Sequence, residues 1–327
     1  MKKKLVIILT IVCFLLCFFS LFIGSYDLSV DEILHIFSST DTMNYRVFIQ
    51  LRMPRAIMGL LAGFVLGLAG SVYQMLFRNP LASPDLTGVA SGASLGAACM
   101  IVLGSSSLLS LTLGAFVAGM LALVLVLLLV KASGGRNISS YVLAGIVVSA
   151  IGEAGIMILK YMADPLGELA AIEFWTMGSL ASITLDKMLI AFISAIIPLV
   201  CLLLSNRQLI LLSMGDEQAR YLGLQPKRAR FMILILTTWM VASIISLTGV
   251  ISFVGLIAPH IAYLILKKRT HTFLWLSGIM GAIVLMISDI FARSLLAGGE
   301  IPLSIFTIFF STPILIVFML KQRGKWV

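Results

Sequence analysis

A chain of 327 residues that is 60% hydrophobic and only 11% charged is not a soluble globular domain, since soluble domains carry about 25% charged residues. The net charge of +9 would suit nucleic acid if it were clustered, but the cations are scattered between apolar runs, which argues for membrane topology instead. The apolar runs do not alternate as barrel strands do, so helices must satisfy the backbone inside the bilayer. At about 20 apolar residues per span, the length allows about ten.

The chain opens Met1-Lys2-Lys3-Lys4 and runs apolar from Leu5 to Ile23. No small-x-small cleavage site follows, so this reads as a retained first helix over 5–24 rather than a signal peptide. Next comes Ser25 to Arg55, with Leu28, Val30, Ile33, Leu34 and Phe37 among polar residues. That pattern predicts an amphipathic stretch lying along the membrane surface outside. A second span is expected over 56–77, with Gly59, Gly63 and Gly67 on one face. A polar loop with two prolines follows from Arg78 to Gly88, and then a span over 87–105 with Gly88, Gly92 and Gly96 at the same spacing. Glycines four apart let neighbouring backbones approach closely in a bilayer.

Further spans are expected over 107–130 and 139–162, the latter carrying Glu153 and Lys160. Ionisable groups inside a membrane are candidates for function. Asp164 to Asp186 predicts a short helix and turn near the interface, ending at Phe174-Trp175-Thr176-Met177-Gly178-Ser179. After a span over 187–205 comes the non-membrane segment 206–228. Inside it, Gly215 and Gly223 bracket about two helical turns, with Asp216 and Glu217 at the start and Arg220 near the end. Acids first and base last suits the helix dipole, and a helix this short needs something packed on it. The remaining spans are expected over 230–248, 250–266, 272–292 and 303–320, with Asp289 four residues before Arg293. Cys13, Cys17, Cys99 and Cys201 all lie in apolar runs and read as small buried hydrophobes.

Lys and Arg gather at alternate loops. Lys2, Lys3, Lys4, Arg78, Lys131, Arg136, Arg207, Lys227, Lys268, Arg323 and Lys325 fall on one side, while the other holds fewer cations (Arg46, Arg52, Arg55, Lys160, Lys187 and Arg293) and collects Asp27, Asp31, Glu32, Asp41, Asp164, Glu168 and Glu300. The positive-inside rule then places both termini in the cytoplasm.

In order and spacing, Arg52-Met53-Pro54-Arg55, the Arg78–Gly88 loop, Leu143-Ala144-Gly145-Ile146, Phe174 to Ser179, Gly215 to Gly223, Ser252 to His260, Asp289 with Arg293, and Glu300-Ile301-Pro302 resemble one family. It is the permease subunits of type II ATP-binding-cassette importers, the iron-siderophore, haem and vitamin B12 group. Tyr263 departs from it, standing where the family often has arginine, as does Ser311-Thr312-Pro313.

The resemblance implies an all-α polytopic membrane protein of about ten transmembrane helices, BtuC-like. Weak self-similarity between Gly70 to Pro80 and Gly249 to His260 suggests spans 2–5 and 7–10 as an inverted repeat. The resemblance further implies one transmembrane permease domain over 1–327, with a cytoplasmic coupling segment at 206–228, in a bacterial cytoplasmic membrane. The implied partners are a second permease subunit, identical or homologous, two cytoplasmic ATP-binding subunits and an extracellular substrate-binding protein. Arg52, Arg55 and Arg293 would receive glutamates of the binding protein. Gly215, Asp216, Glu217, Arg220, Leu222 and Gly223 would couple to the ATPase. With no G-x-x-x-x-G-K-[ST] loop, the chain is expected to bind no ATP and no cofactor or metal, leaving ATP and Mg to the partner. The expected cargo is a ferric siderophore, with haem or cobalamin as alternatives. A secondary transporter driven by an ion gradient is the competing class.

Overall fold

The computed structural model describes residues 2–24, 26, 28–34, 42–104, 107–134, 138–296 and 299–322. Asp27, Phe37, Asp41, Arg136, Arg323 and Lys325, used above, lie outside them. Helix α1 covers Lys2–Ser20 and α2 covers Val30–Leu34. A short α3 (Met43–Tyr45) runs through a π-helical stretch (Arg46–Arg52) into α4 (Met53–Leu76).

This corrects one expectation. The end of the supposed surface stretch is the beginning of a single helix over Met43–Leu76. Proline lacks the N–H that an α-helix needs and crowds the preceding turn. Here the wider turn just before Pro54 absorbs both defects: the Met53 N–H reaches back to Phe48 O, five residues away.

After α4 the chain makes a 3-10 turn at Pro84–Thr87 and enters α5 (Val89–Val102). Then come α6 (Leu108–Ala132), α7 (Ile138–Met162) and the short α8 (Glu168–Thr176). Next are α9 (Leu185–Leu204), α10 (Asn206–Met214) and α11 (Asp216–Tyr221). The chain closes with α12 (Pro226–Thr248), α13 (Val254–Leu266), α14 (His271–Ser294) and α15 (Leu303–Gln322).

Six of these helices are long and apolar enough to cross a membrane: the Met43–Leu76 helix, α6, α7, α9, α12 and α14. Of the other four expected spans, α1 and α15 have 19 and 20 residues and are apolar over Lys4–Ser20 and Leu303–Phe318, whereas α5 and α13 have only 14 and 13. For α5 and α13 the cause is local. Each follows an unwound segment, after α4 and α12 respectively.

The bundle has an inside and an outside. The apolar windows of the Met43–Leu76 helix, α12 and α14 are 83%, 72% and 78% buried, against 33% or less for α6, α7 and α9. The glycine stripes explain how the inner helices approach. A side-chain carbon built on Gly67 would lie 2.3 Å from the Ser277 carbonyl of α14, and one on Gly96 would lie 2.3 Å from the Gly114 carbonyl of α6. Nothing but hydrogen fits there, so the glycines set the inter-helix distance, as expected.

Candidate functional site

Three polar assemblies interrupt the apolar bundle. The first lies where α1 ends. Helix α1 stops at Ser20, and its final carbonyls need donors. Two arginines from other helices supply them. Arg293 of α14 donates from Nη2 to Ser20 O and from Nη1 to Ile23 O, both at 2.9 Å. Arg52 donates from Nη1 to Leu21 O at 3.1 Å and from Nη2 to Tyr26 O. Cations at a helix C-terminus also oppose its negative dipole end.

Arg55, one turn further along, donates from Nε to Asp289 Oδ1 at 3.0 Å and from Nη2 to Glu300 Oε2 at 2.9 Å. A further bond runs from Arg55 Nη1 to Glu300 Oε1. The Arg293 Nε lies 3.4 Å from Asp289 Oδ2, near enough to attract but without hydrogen-bond geometry. The expected pair of Asp289 with Arg293 on one helix is therefore the weaker contact, and the Arg55 fork from α4 holds Asp289. Arg52 and Arg293 are each 5% exposed. The three arginines expected to receive a partner's glutamates thus spend their donors on internal acceptors, tying α1, α4 and α14 together.

The second assembly is the coupling segment. Gly215 adopts φ +121° and Gly223 φ +81°, the conformations that make both ends sharp. The Gly223 N–H donates to Arg220 O and the Leu224 N–H to Ala219 O, both at 2.9 Å. That pair of bonds closes the end of α11 as a Schellman motif. One face of α11 is anchored: Ala219 is fully buried, and Asp216 accepts from the Arg230 Nη2 at 2.6 Å and Nη1 at 3.3 Å. The opposite face is free. Tyr221 is 90% exposed and Leu222 55%, with Glu217 and Arg220 exposed beside them. Asp216, expected to meet the ATPase, fixes α11 to α12. Tyr221, which was not expected, is the largest exposed group.

Arg78 belongs to this assembly too. Its φ of +50° places a residue with a side chain in the left-handed region, closing α4 in the manner usual for glycine. A side chain there costs about 1–2 kcal/mol. The Arg78 guanidinium sits beside Gly215 and lines a polar groove with Ser139, Asp216 and Glu217, so the strained residue links the loop after α4 to the coupling segment.

The third assembly is a cleft of about 400 Å³ where the two unwound segments meet. Pro84 abuts Gly255 at the start of α13, and Phe253 takes φ +67° at the bend before it. The cleft is lined by Asp85, Ser91, Ser94, Ser149, Glu153, Lys160, Thr176 and Ser252. Glu153 and Lys160 were flagged by their charge. Lys160 pairs with Glu173 of α8 at 2.8 Å. Burial, the largest influence, pushes the Asp85 carboxyl above the usual aspartate range, and a Ser83 hydroxyl at 3.4 Å partly opposes it. Its side chain nevertheless opens onto the cleft, because surrounding protein screens it from bulk water without covering it. The hydroxyls were missed. Ser91 with Ser94, and Ser149 with Glu153, are spaced three and four apart on α5 and α7, a one-face signal visible in the sequence.

A sequence model of the FecCD transport family matches residues 10–321. The hemin transport system permease protein of Yersinia pestis is 33% identical over 294 residues, covering 88% of this chain and 87% of that protein. The molybdate import system permease protein of Haemophilus influenzae is 32% identical over 329 residues, covering 98% and 97%. The Fe(3+)-citrate import system permease protein of Bacillus subtilis is 32% identical over 324 residues, covering 98% and 95%. Among solved structures, an inward-facing transporter described as of the metal-chelate type superposes with a TM-score of 0.88 at 32% identity, covering 98% of this chain and 99% of that one.

Proposed function

The chain belongs to the FecCD transport family, and on that premise we propose that it carries a metal chelate, a ferric siderophore foremost, as the membrane subunit of an ATP-driven importer. It is a multi-pass ABC importer permease, and its relatives carry different cargoes. Hemin and ferric citrate share one property that molybdate lacks: the metal arrives already wrapped in an organic ligand. The cleft suits such cargo. It offers hydroxyls and carboxylates that form passing hydrogen bonds with a chelate surface, and its one cation, Lys160, is already paired with Glu173. An oxyanion would want a free cation there. Haem or cobalamin is the second reading, on the same geometry.

The observation that carries the ATP-driven reading is the divided face of α11. One side is fixed by Ala219 and Asp216, and the other leaves Tyr221 and Leu222 in the open. An apolar pair rimmed by Glu217 and Arg220 suits a protein partner. In this reading two cytoplasmic ATP-binding subunits bind ATP and Mg and close on α11. A second permease copy or homologue completes the path, and an extracellular binding protein delivers cargo. The chain itself holds no cofactor. The Lys and Arg skew orients α11, and both termini, toward the cytoplasm.

The test is uptake into proteoliposomes holding the permease with its ATPase and binding protein. Labelled ferric siderophore, hemin, cobalamin and molybdate are compared, with ATP and with an imposed ion gradient. ATP-dependent accumulation of ferric siderophore is expected. Accumulation driven by the gradient alone would replace the reading with a secondary transporter, and selective molybdate uptake would overturn the chelate assignment.

A further inference from the structure

A second cavity, of about 720 Å³, lies between α6 and α12 at the end of the bundle that carries the coupling segment, and Arg230 is the residue it shares with that assembly. Its walls are apolar, formed by Leu128 on one helix and Phe231 and Ile235 on the other, while Lys131, Lys227 and Arg230 gather at one end. Leu128 and Phe231 are 55% and 50% exposed, so the groove opens outward. We propose that it binds one anionic phospholipid, with an acyl chain along α6 and α12 and the phosphate among Lys131, Lys227 and Arg230.

Three observations carry this. First, α6 has the highest mean hydropathy of the six long apolar helices, 2.9, and only 33% of its apolar window is covered by protein. A face of that composition belongs against hydrocarbon. Second, the charges are uncompensated. Lys131 and Lys227 are exposed and join no ion pair among the described residues. Two cations at the mouth of an apolar groove match a phosphate above an acyl chain, and their own methylene stems can lie on the apolar walls. Third, Arg230 is 2% exposed, lines the groove, and has a buried Nε with no hydrogen-bond partner. A buried N–H left unmade is costly, and a phosphate oxygen at the groove's basic end would satisfy it.

The consequence reaches the coupling segment. The other two nitrogens of the same guanidinium hold Asp216 of α11. A phosphate on Nε would lock the planar fork from its third edge, so the lipid would steady the ion pair on which α11 is mounted.

The test uses the assembled transporter in detergent, titrated with dioleoylphosphatidylglycerol or dioleoylphosphatidylcholine and read by native mass spectrometry. Retention of one phosphatidylglycerol per permease in preference to phosphatidylcholine is expected. The variant K131Q/K227Q should retain it about 10- to 30-fold less well, since each cation near a headgroup contributes about 1 kcal/mol. The variant K131R/K227R should keep the preference, which separates charge from shape. Both positions are exposed, so gel filtration should show unchanged assembly. Equal retention of the two lipids, or undiminished retention by K131Q/K227Q, overturns the proposal. Displacement of the lipid by millimolar inorganic phosphate would also overturn it, by assigning the site to a free anion.

Discussion

The Arg55–Asp289 assembly and the coupling segment both depend on an arginine fork holding an aspartate, yet they spend it differently. Arg55 and Asp289 join α4 to α14 in the interior, where the Asp289 side chain is 2% exposed and both charges are used up within the protein. Arg230 and Asp216 join α12 to a six-residue helix whose other side faces out, and the Asp216 side chain is 30% exposed. The first arrangement makes a rigid joint between long helices. The second makes a mount, holding a short helix that cannot stand alone while leaving its far face free. A joint and a mount should fail in different ways when cut.

The joint should fail hardest. Asp289→Ala leaves the Arg55 and Arg293 charges buried with only Glu300 nearby, and removing one partner of a buried pair costs about 3–5 kcal/mol. The expected outcome is a large fall in melting temperature and in assembled yield, measured by fluorescence-detected thermal unfolding. Arg52→Glu with Arg55→Glu should fail the same way, through folding rather than through lost affinity for an outside protein. A well-folded double variant that simply binds its delivery protein poorly would return these arginines to a docking role.

The mount should fail in function with little loss of stability. Leu222 is more than half exposed, so Leu222→Asp should change stability by less than about 0.5 kcal/mol. Uptake and co-purification of the ATP-binding subunits should nonetheless both collapse, because a charge would then face an apolar contact. Loss of uptake with the ATPase still attached would separate transmission from docking.

Arg78→Gly sharpens the contrast further. Relieving a left-handed arginine should stabilise the fold by about 1 kcal/mol, while removing the guanidinium beside Gly215 should lower uptake. A rise in melting temperature with unaltered uptake would reduce Arg78 to a helix cap. The smallest effect is expected at the cleft. Lys160 and Glu173 have side chains 28% and 45% exposed, and solvent-screened pairs contribute about 0–1 kcal/mol. Lys160→Gln should therefore leave stability nearly unchanged, and a loss comparable to that of Asp289→Ala would show a coupling beyond this pair.

Composition and spacing alone determined the class of molecule. An 11% charged chain with glycines four apart can only bury itself as packed helices in a bilayer, and, the Met43 start of the second long helix apart, helix ends fell within a few residues of where apolar runs stop. The sharp ends of α11 were equally legible, because Gly215 and Gly223 act through their own backbone angles. What the sequence left open was every relation between distant residues. The resemblance implied that Arg52, Arg55 and Arg293 receive glutamates of a binding protein, and nothing in the sequence names their internal acceptors. Only the approach of α1, α4 and α14 showed that their donors meet carbonyls and carboxylates of other elements, 31 positions away from Arg52 to Leu21 and 234 from Arg55 to Asp289. That the helix continues back past Pro54 was not legible, because the π turn that accommodates the proline is a property of the preceding backbone and of no single residue. The cleft is the same lesson. Its serines are ordinary α5 and α7 residues until Pro84 meets Gly255 and two unwound segments, far apart in the chain, open onto one space. Periodicity and backbone angle are local and can be read along the chain, whereas which charge meets which carbonyl is decided by packing.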